Sequence, residues 1–236
     1  MFISQQLAAE AVEQVFAGRN LGVSLEAIFS RHKNITPQQR AVAQDLSYGA
    51  LRFYGQVASL LSQLLEKPLP DERVRCLLLV ALYQLQHDKA AAHTVVDQAV
   101  KAASAFKKPW AKGLVNGVLR NFLRQQDALL AKLKGNEIAE FSYPEWWINK
   151  LKFQYPEDWQ TMLSAGNQHP PMTLRVNQRC ISAQDYLVKL QSAGIEATLL
   201  GGEALMLEKP LPVDKIPGFF EGEVSVQDFG AQLAGY

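Results

Sequence analysis

The chain has 236 residues, of which 48% are hydrophobic and 20% are charged, a composition typical of soluble globular proteins. Its formal net charge of +1 excludes a protein that binds nucleic acid as a uniform polycation, so any such affinity requires a local basic patch. The longest apolar run is interrupted by Tyr83 and Gln84 and is too short to cross a membrane. Two cysteines make no disulfide framework, which favours a reducing, cytoplasmic location.

Residues 5–134 carry the spacing of successive amphipathic helices. Apolar side chains recur every three or four positions, first between Leu7 and Phe16 and then in stripe after stripe along this segment. Thr36 followed by Pro37 and Gln39 predicts a helix start, because threonine caps, proline suits the first helical position and glutamine reaches back. A separate final helix is predicted around Leu129. Since the connections are short, we expect one helical bundle over residues 1–137.

The pattern changes after Gly135. An aromatic-rich helical stretch is predicted from Tyr143 to about Gly166, and Met172 to Asn177 then alternates as a strand does. Ser182 is a suitable cap for a following helix. Two further alternating segments flank Gly201-Gly202, which predicts a hairpin turn.

A last strand is predicted at residues 223–227. The fold class that we expect is therefore mainly α, with a helical bundle followed by a small α+β subdomain. A split βαβ arrangement of this subdomain is one candidate. The predicted domains are a helical domain at 1–137, a helical linker at 138–168, an α+β subdomain at 169–227 and the start of another domain at 228–236.

Four segments of the helical part resemble, in order and spacing, the NusB family of helical RNA-binding domains. The segments are Asp-Leu-Ser-Tyr-Gly-Ala-Leu-Arg at 45–52, Ala-Leu-Tyr-Gln-Leu at 81–85, His-Thr-Val-Val-Asp-Gln-Ala-Val at 93–100 and Gly-Leu-Val-Asn-Gly-Val-Leu-Arg at 113–120. The string Val-Asn-Gly-Val-Leu-Arg within the last segment is the most specific of them. The resemblance implies that the bundle is NusB-like and binds RNA.

Three later segments are similar to the Sun/Fmu (RsmB-type) family of 16S rRNA cytosine-C5 methyltransferases. They are Tyr-Pro-Glu-Trp at 143–146, Pro-Pro-Met-Thr-Leu-Arg-Val-Asn at 170–177 and Gly-Glu-Val-Ser-Val-Gln-Asp-Phe-Gly-Ala-Gln at 222–232. They resemble the linker, the N-terminal subdomain and the start of the methyltransferase core of that family. One departure is Phe229-Gly230, where the family usually has small residues.

This resemblance implies an S-adenosylmethionine-dependent enzyme whose helical domain positions small-subunit rRNA. Attack on cytosine requires a thiolate, and the family supplies it from a Pro-Cys and a Thr-Cys motif, neither of which occurs here. Cys76 is expected to be a buried structural thiol, and Cys180 is expected to lie in a loop without a nearby base. Gly201-Gly202 opens no helix, so it is not a cofactor turn. We therefore assign no catalytic or cofactor-binding residue and expect the catalytic core outside this chain.

Basic side chains cluster around the 113–120 segment. The residues that we predict to contact rRNA are Lys107, Lys108, Lys112, Arg120, Arg124 and, in the α+β part, Arg175. Lys101 belongs to the same cluster, and a second basic run comprises Arg19, Arg31, Lys33 and Arg40. The alternative is that these are solvated outer faces. The four histidines lack ligand-like spacing, so no metal site is expected.

Two structural roles are also predicted near this cluster. Because glycine weakens a helix interior, close helix packing is the expected reason for Gly117, and Asn116 is expected to link helices by hydrogen bonds. The four tryptophans are expected to be packing or domain-interface residues rather than base-stacking platforms. They are Trp110, Trp146, Trp147 and Trp159.

Three functional hypotheses remain open from the sequence. The first is the RNA-binding part of an rRNA methyltransferase. The second is a free-standing NusB-like RNA-binding or antitermination module, which would have a ribosomal protein as its partner. The third is a structural scaffold without salt-dependent RNA affinity. No membrane partner is expected.

Overall fold

The computed structural model describes residues 2–87 and 90–234. Over these residues the chain forms twelve α-helices and one four-stranded β-sheet. It divides into two compact units, Met1–Asn167 and Gln168–Tyr236. The first is all helical and the second is α+β, which confirms the predicted fold class. No described helix combines the length and apolar character that a membrane crossing requires.

The helical unit contains ten helices. Their bounds are α1 (Phe2–Phe16), α2 (Leu21–Arg31), α3 (Pro37–Arg52), α4 (Tyr54–Leu64), α5 (Glu72–His87), α6 (Ala92–Ala105), α7 (Pro109–Ala131), α8 (Glu137–Phe141), α9 (Glu145–Gln154) and α10 (Trp159–Asn167). The predicted capping box begins α3: the Gln39 amide donates to Thr36 Oγ1 at 3.2 Å, and the Thr36 amide donates to Gln39 Oε1 at 2.9 Å.

Helix α5 forms the centre of this unit. The seven residues from Cys76 to Leu82 are all completely buried, so this helix is apolar on every side, as a helix enclosed by others must be. Helices α1, α3, α4, α6 and α7 pack against it. Phe122 of α7 is also fully buried in the same core.

Helix α7 extends over both segments that the sequence predicts as separate helices. Its backbone leaves helical geometry only at Gln125, where φ is −123° and ψ is 18°. The prediction of two helices is confirmed, since they meet at a kink at Gln125 without a loop between them. The part of α7 before Gln125 carries the segment 113–120.

Helices α8 to α10 belong to the helical unit. The end of α8 lies against the backbone of Gly55 in α4, and Ser142 Oγ accepts a hydrogen bond from the Gln56 amide at 3.2 Å. Asn167 Nδ2 donates to the Phe141 carbonyl oxygen at 2.6 Å. The aromatic-rich stretch predicted from Tyr143 is therefore helical and is anchored to the bundle.

The second unit is built on one antiparallel sheet. Its elements are β1 (Met172–Val176), α11 (Ala183–Ser192), β2 (Ala197–Gly201), β3 (Ala204–Leu207), β4 (Val224–Val226) and α12 (Phe229–Leu233). The strand order is β2-β3-β1-β4. Because β1 and β2 are both antiparallel to the strand between them, they run parallel and form a split βαβ unit around α11. The register of β2 shifts between Leu199 and Gly201.

Helix α11 covers one face of this sheet. Leu174 and Leu205 are fully buried there with Tyr186 and Leu190 of the helix. The Tyr186 hydroxyl donates to the Pro217 carbonyl oxygen at 2.6 Å, which satisfies the buried polar group. The predicted hairpin between β2 and β3 is present: Gly201 is the last residue of β2 and Gly202-Glu203 form the turn, and both glycines have positive φ.

Candidate nucleic-acid interface

Three of the predicted basic residues form a strip on the outer side of α7. Lys112, Arg120 and Arg124 are all exposed, and their separations of eight and four residues place them along one side of the helix. Among the residues that the structure describes, no carboxylate forms an ion pair with any of the three. Their charges are thus available to an external anion. We call these three residues the basic strip.

Arg120 is held in place by its own helix. Its Nε donates to Asn116 Oδ1, one turn earlier, at 3.0 Å. The predicted link from Asn116 to another helix is therefore wrong: its side chain faces Arg120 along α7, and no described hydrogen bond joins it to a neighbouring helix. Because this bond uses only Nε, both terminal nitrogens of the guanidinium group remain able to donate to a phosphate.

The glycines of the same segment face open space. A Cβ atom placed on Gly113 or on Gly117 would meet no atom within 4 Å, and both residues are exposed. The predicted packing role of Gly117 is therefore wrong, since no helix approaches it. Glycine destabilises a helix interior, and no packing contact at Gly113 or Gly117 offsets that cost. The result is bare backbone on the side of α7 that carries Arg120.

A cavity of about 370 Å³ lies between α6 and α7, next to the basic strip. It is lined by His93, Val96, Asp97, Val100, Asn116, Arg120 and Leu123. The α6 residues occur at i, i+3, i+4 and i+7, and those of α7 at i, i+4 and i+7, so each helix presents one continuous stripe. Val96, Val100 and Leu123 are its apolar lining residues, and we call the exposed polar lining residues His93, Asp97 and Arg120 its mouth. Its volume is within the range of about 300–1,000 Å³ that is usual for small-ligand sites.

The four segments that carry the NusB resemblance meet in pairs in the structure. Segments 93–100 and 113–120 together form the cavity between α6 and α7. Segments 45–52 and 81–85 meet where the backbone of Gly49 lies directly against the ring of Tyr83. Asp97 and the cavity were not predicted from the sequence. The spacing of residues in segments 93–100 and 113–120 nevertheless indicates which side chains line it.

The basic residues before α7 are in different states. Lys107 is exposed and adopts a left-handed backbone conformation with φ of 56°. Lys108 is only partly exposed and forms an ion pair with Asp71, so its charge is already neutralised within the protein. Lys101 pairs with Asp97 one turn earlier on α6 at 2.6 Å. Of these three lysines, Lys107 extends the basic strip most directly.

The second basic run is largely engaged in contacts within the helical unit. Arg31 forms an ion pair with Glu10 at 2.7 Å. The guanidinium group of Arg40 lies 5.5 Å from the ring centroid of Phe29. Arg19 and Lys33 are exposed. This run therefore offers fewer uncommitted charges than the basic strip.

Arg175 lies on the exposed face of β1 in the second unit. Its Nε donates to Glu203 Oε2 at 2.7 Å, and half of its side chain is exposed. A polar cavity of about 440 Å³ adjoins it, with Asn177 and Arg179 among the lining residues. Because Glu203 partly neutralises Arg175, an anion at this position would compete with an internal carboxylate.

The tryptophans divide into two classes. Trp147 and Trp159 pack with Phe141 and Ile148 in a small apolar cluster of the helical unit, as predicted. Trp110 is 49% exposed and Trp146 is 66% exposed, so neither is a core residue. Trp146 packs edge-on against Trp147, with 5.5 Å between the ring centroids. Trp110 lies in the first turn of α7, two residues before Lys112.

The two thiols have opposite environments. Cys76 is completely buried in α5, and this burial raises the pKa of its thiol to about 12, with the nearby Glu72 carboxylate adding to the effect. Cys180 is exposed in the loop before α11. The expectation of a buried structural thiol and a loop thiol is confirmed. No group of side chains suited to a metal ion occurs in the ranges 2–87 and 90–234.

This difference gives a direct test with a thiol reagent. At neutral pH we expect one equivalent of 5,5′-dithiobis(2-nitrobenzoate) to react with the folded protein at Cys180, since only an exposed thiol can form an attacking thiolate. Cys76 should react only after unfolding in guanidinium chloride. Cys180→Ser is the control and should leave no fast-reacting thiol. Rapid labelling of the folded control would contradict the burial of Cys76.

Two family models match the chain. The model described as "NusB family" matches residues 3–124, which is half of the chain. The chain belongs to the NusB family. The model described as "Methyltr_RsmF/B-like, ferredoxin-like domain" matches residues 143–214. The NusB-family domain thus contains α6, α7 up to Arg124 and the whole basic strip.

Several curated relatives, which share one name among themselves, match nearly the whole chain. Ribosomal RNA small subunit methyltransferase B of Pseudomonas syringae pv. tomato is 40% identical over 96% of this chain and 51% of that protein. The protein of this name from Proteus mirabilis is also 40% identical, over 97% of this chain and 54% of that protein. The Escherichia coli O7:K1 protein is 39% identical over 97% and 53%. The chain, with its NusB-family domain, spans about half the length of these relatives.

A solved structure shares the fold. The crystal structure of PH0851 covers 99% of this chain and 54% of its own, with a TM-score of 0.63 and 16% sequence identity. At this identity the likeness concerns the fold alone.

Proposed function

We propose that this chain is the RNA-binding part of an S-adenosylmethionine-dependent methyltransferase that acts on C5 of a cytosine in small-subunit rRNA. It would hold rRNA for a catalytic domain formed by other residues. The observation that carries the proposal is the basic strip: three exposed cations on one side of α7 in a NusB-family domain, none of which pairs with a carboxylate of the described residues. The relatives, named rRNA small subunit methyltransferase B, supply the substrate class. A cytoplasmic location follows from that substrate.

The charge distribution supports a local site. The formal net charge of the chain is only +1, whereas Lys112, Arg120 and Arg124 lie within thirteen residues of one another and lack carboxylate partners among the described residues. Phosphates of RNA bind such a strip by releasing counterions, which makes the affinity strongly salt-dependent and only weakly sequence-dependent. Lys107, next to the start of α7, would extend the strip. Lys108 and Arg175 would first have to leave Asp71 and Glu203.

The described residues do not fit S-adenosylmethionine. Binding in a doubly wound sheet needs a glycine-rich turn that follows a strand and opens a helix. Gly201 and Gly202 instead join the antiparallel strands β2 and β3. The cofactor and the cysteine nucleophile would therefore be supplied by residues outside the ranges 2–87 and 90–234, and we derive no catalytic step for this chain.

The free-standing antitermination module is the weaker alternative. It accounts for the NusB-family match over residues 3–124. It does not explain why residues 143–214 match a second family model. That model describes a ferredoxin-like domain of RsmF/B-like methyltransferases. The rRNA methyltransferase proposal accounts for both.

The proposal predicts RNA binding without methyl transfer. We expect the 236-residue protein to bind fragments of small-subunit rRNA in a filter-binding assay, with an affinity that falls steeply as the salt concentration rises. Incubation with tritiated S-adenosylmethionine should leave the RNA unlabelled, because Cys76 is buried and Cys180 has no cofactor turn near it. Label on cytosine, or no RNA binding at low salt, would contradict the proposal.

A further inference from the structure

We propose that the cavity between α6 and α7 holds the base of one unpaired RNA nucleotide, while Arg120 and the bare glycine backbone of α7 receive its phosphates. This inference rests on the proposed function, since it specifies how the NusB-family domain grips RNA. It goes further by making the grip dependent on a base as well as on charge. Three features of the cavity support it: its walls, its mouth and the surface beside it.

The walls suit a planar aromatic ring. Val96 is almost completely buried, and Val100 and Leu123 are half-buried on opposite helices, so apolar side chains face the cavity from both sides. A volume of about 370 Å³ is large enough for a single base. Only a base that has left its stack could enter between two helices. The occupant is therefore single-stranded or looped RNA rather than a continuous double helix.

The mouth carries groups for both parts of a nucleotide. Arg120 is oriented by Asn116 and keeps its terminal nitrogens for a phosphate. Asp97 lies at the opposite side, on α6. A protein surface that binds only the phosphate chain gains nothing from a carboxylate at this position. A carboxylate is useful where a base offers N–H groups.

The glycines explain how the polymer reaches the cavity. Gly113 and Gly117 precede Arg120 by seven and three residues, so they share its side of α7, and nothing lies within 4 Å of where their Cβ atoms would be. Without side chains, a sugar–phosphate chain can lie directly against the helix. Lys112 and Arg124 flank this bare path on the same helix.

Asp97 also sets an expected base preference. An ionised carboxylate is only an acceptor, and although Lys101 occupies part of it at 2.6 Å, a carboxylate has about four lone-pair sites. Guanine, cytosine and adenine each present an amino group to such an acceptor. Guanine adds an adjacent ring N–H, whereas uracil presents a single N–H between two carbonyl oxygens. We expect guanine to be favoured and uracil to bind least well of the four bases.

The test compares three single-stranded probes of equal length and charge by fluorescence anisotropy with the full chain. They are an oligouridine, the same oligouridine with one central guanosine, and an abasic ribose–phosphate chain. We expect the guanosine probe to bind about tenfold or more tightly than the abasic chain, because burial of the base against apolar side chains and its bond to Asp97 both favour binding. The oligouridine should lie between them.

Two exposed variants locate the effect. Asp97→Asn should reduce the preference for guanosine over uridine to about twofold or less. Lys101→Gln is the matched control: it removes the same ion pair but keeps the carboxylate, so the preference should remain. A third variant, Val100→Phe, fills the cavity and should bring the guanosine probe down to the affinity of the abasic chain. Circular dichroism melts verify that each variant is folded.

The outcomes separate this inference from the proposed function. Equal affinity for all three probes, with steep salt dependence retained, would overturn the base cavity and leave the RNA-binding proposal standing. Failure of every probe and of rRNA to bind at low salt would overturn both. A guanosine preference that survives both Asp97→Asn and Val100→Phe would place the base elsewhere and would also overturn the inference.

Discussion

Replacement of Gly55 by alanine is expected to destabilise the helical unit by about 3 kcal/mol, at the upper end of the range for overpacked cores. The added Cβ would lie 2.1 Å from the Ile138 carbonyl oxygen and 2.9 Å from Ser142 Cα. Both are backbone atoms, one in α8 and one in the residue that follows it, so no side-chain rotation can relieve the clash. The end of α8 must instead move away from α4, which also breaks the hydrogen bond from the Gln56 amide to Ser142 Oγ.

Gly117→Ala is the matched control and is expected to have the opposite sign. It makes the same chemical change within a helix, but its Cβ meets nothing within 4 Å. Alanine is favoured over glycine in a helix interior by about 1 kcal/mol, so this variant should be more stable than the natural protein. Urea unfolding curves of the two variants measure both effects. Equal stability of the two variants would contradict the difference in packing at the two glycines.

Reversal of two charges on the basic strip is expected to weaken RNA binding by at least tenfold at low salt. The double variant Lys112→Glu, Arg120→Glu removes two exposed cations that have no carboxylate partner among the described residues, and it places two anions beside the phosphates. The slope of log affinity against log salt should fall in magnitude by about 0.7 for each lost phosphate contact on single-stranded RNA. Both quantities come from anisotropy titrations with an rRNA fragment at several salt concentrations.

The control for this experiment makes the same change in net charge at two exposed lysines outside α6 and α7. Lys67 and Lys150 are exposed residues of the same unit, away from α6 and α7 in the sequence, and the double variant Lys67→Glu, Lys150→Glu has the same net charge. It should bind RNA within about twofold of the natural protein if the site is local. Equal losses in both double variants would show a general charge effect and would remove the basic strip from the proposal.

The features that sequence predicted well are those set by neighbouring residues. The capping box at Thr36 depends only on Thr36 and Gln39, and the hairpin at Gly201-Gly202 depends on two glycines with positive φ. Helix and strand positions therefore followed from local patterns, and the confirmed fold class followed from their order.

The features that sequence missed depend on which helix lies beside which. Gly55 and Gly117 are both glycines within predicted helices, and their neighbouring residues do not distinguish them. In the structure α8 covers Gly55, whereas Gly117 faces solvent. The direction of the Asn116 side chain was predicted wrongly for a different reason: its partner, Arg120, lies four residues further along the same helix. The cavity needs two helices at once, so a reading of α7 alone cannot find Asp97.

Among the described residues, β2 and β4 are the edge strands of the sheet in the second unit, and neither is a regular strand of ordinary length. At one edge the register of β2 shifts between Leu199 and Gly201, and at the other β4 has only three residues. A second polypeptide that sought to extend the sheet would find few consecutive unsatisfied amide and carbonyl groups on either side. Such interrupted margins disfavour strand-mediated self-association, so the α+β unit should stay dispersed when the protein is concentrated.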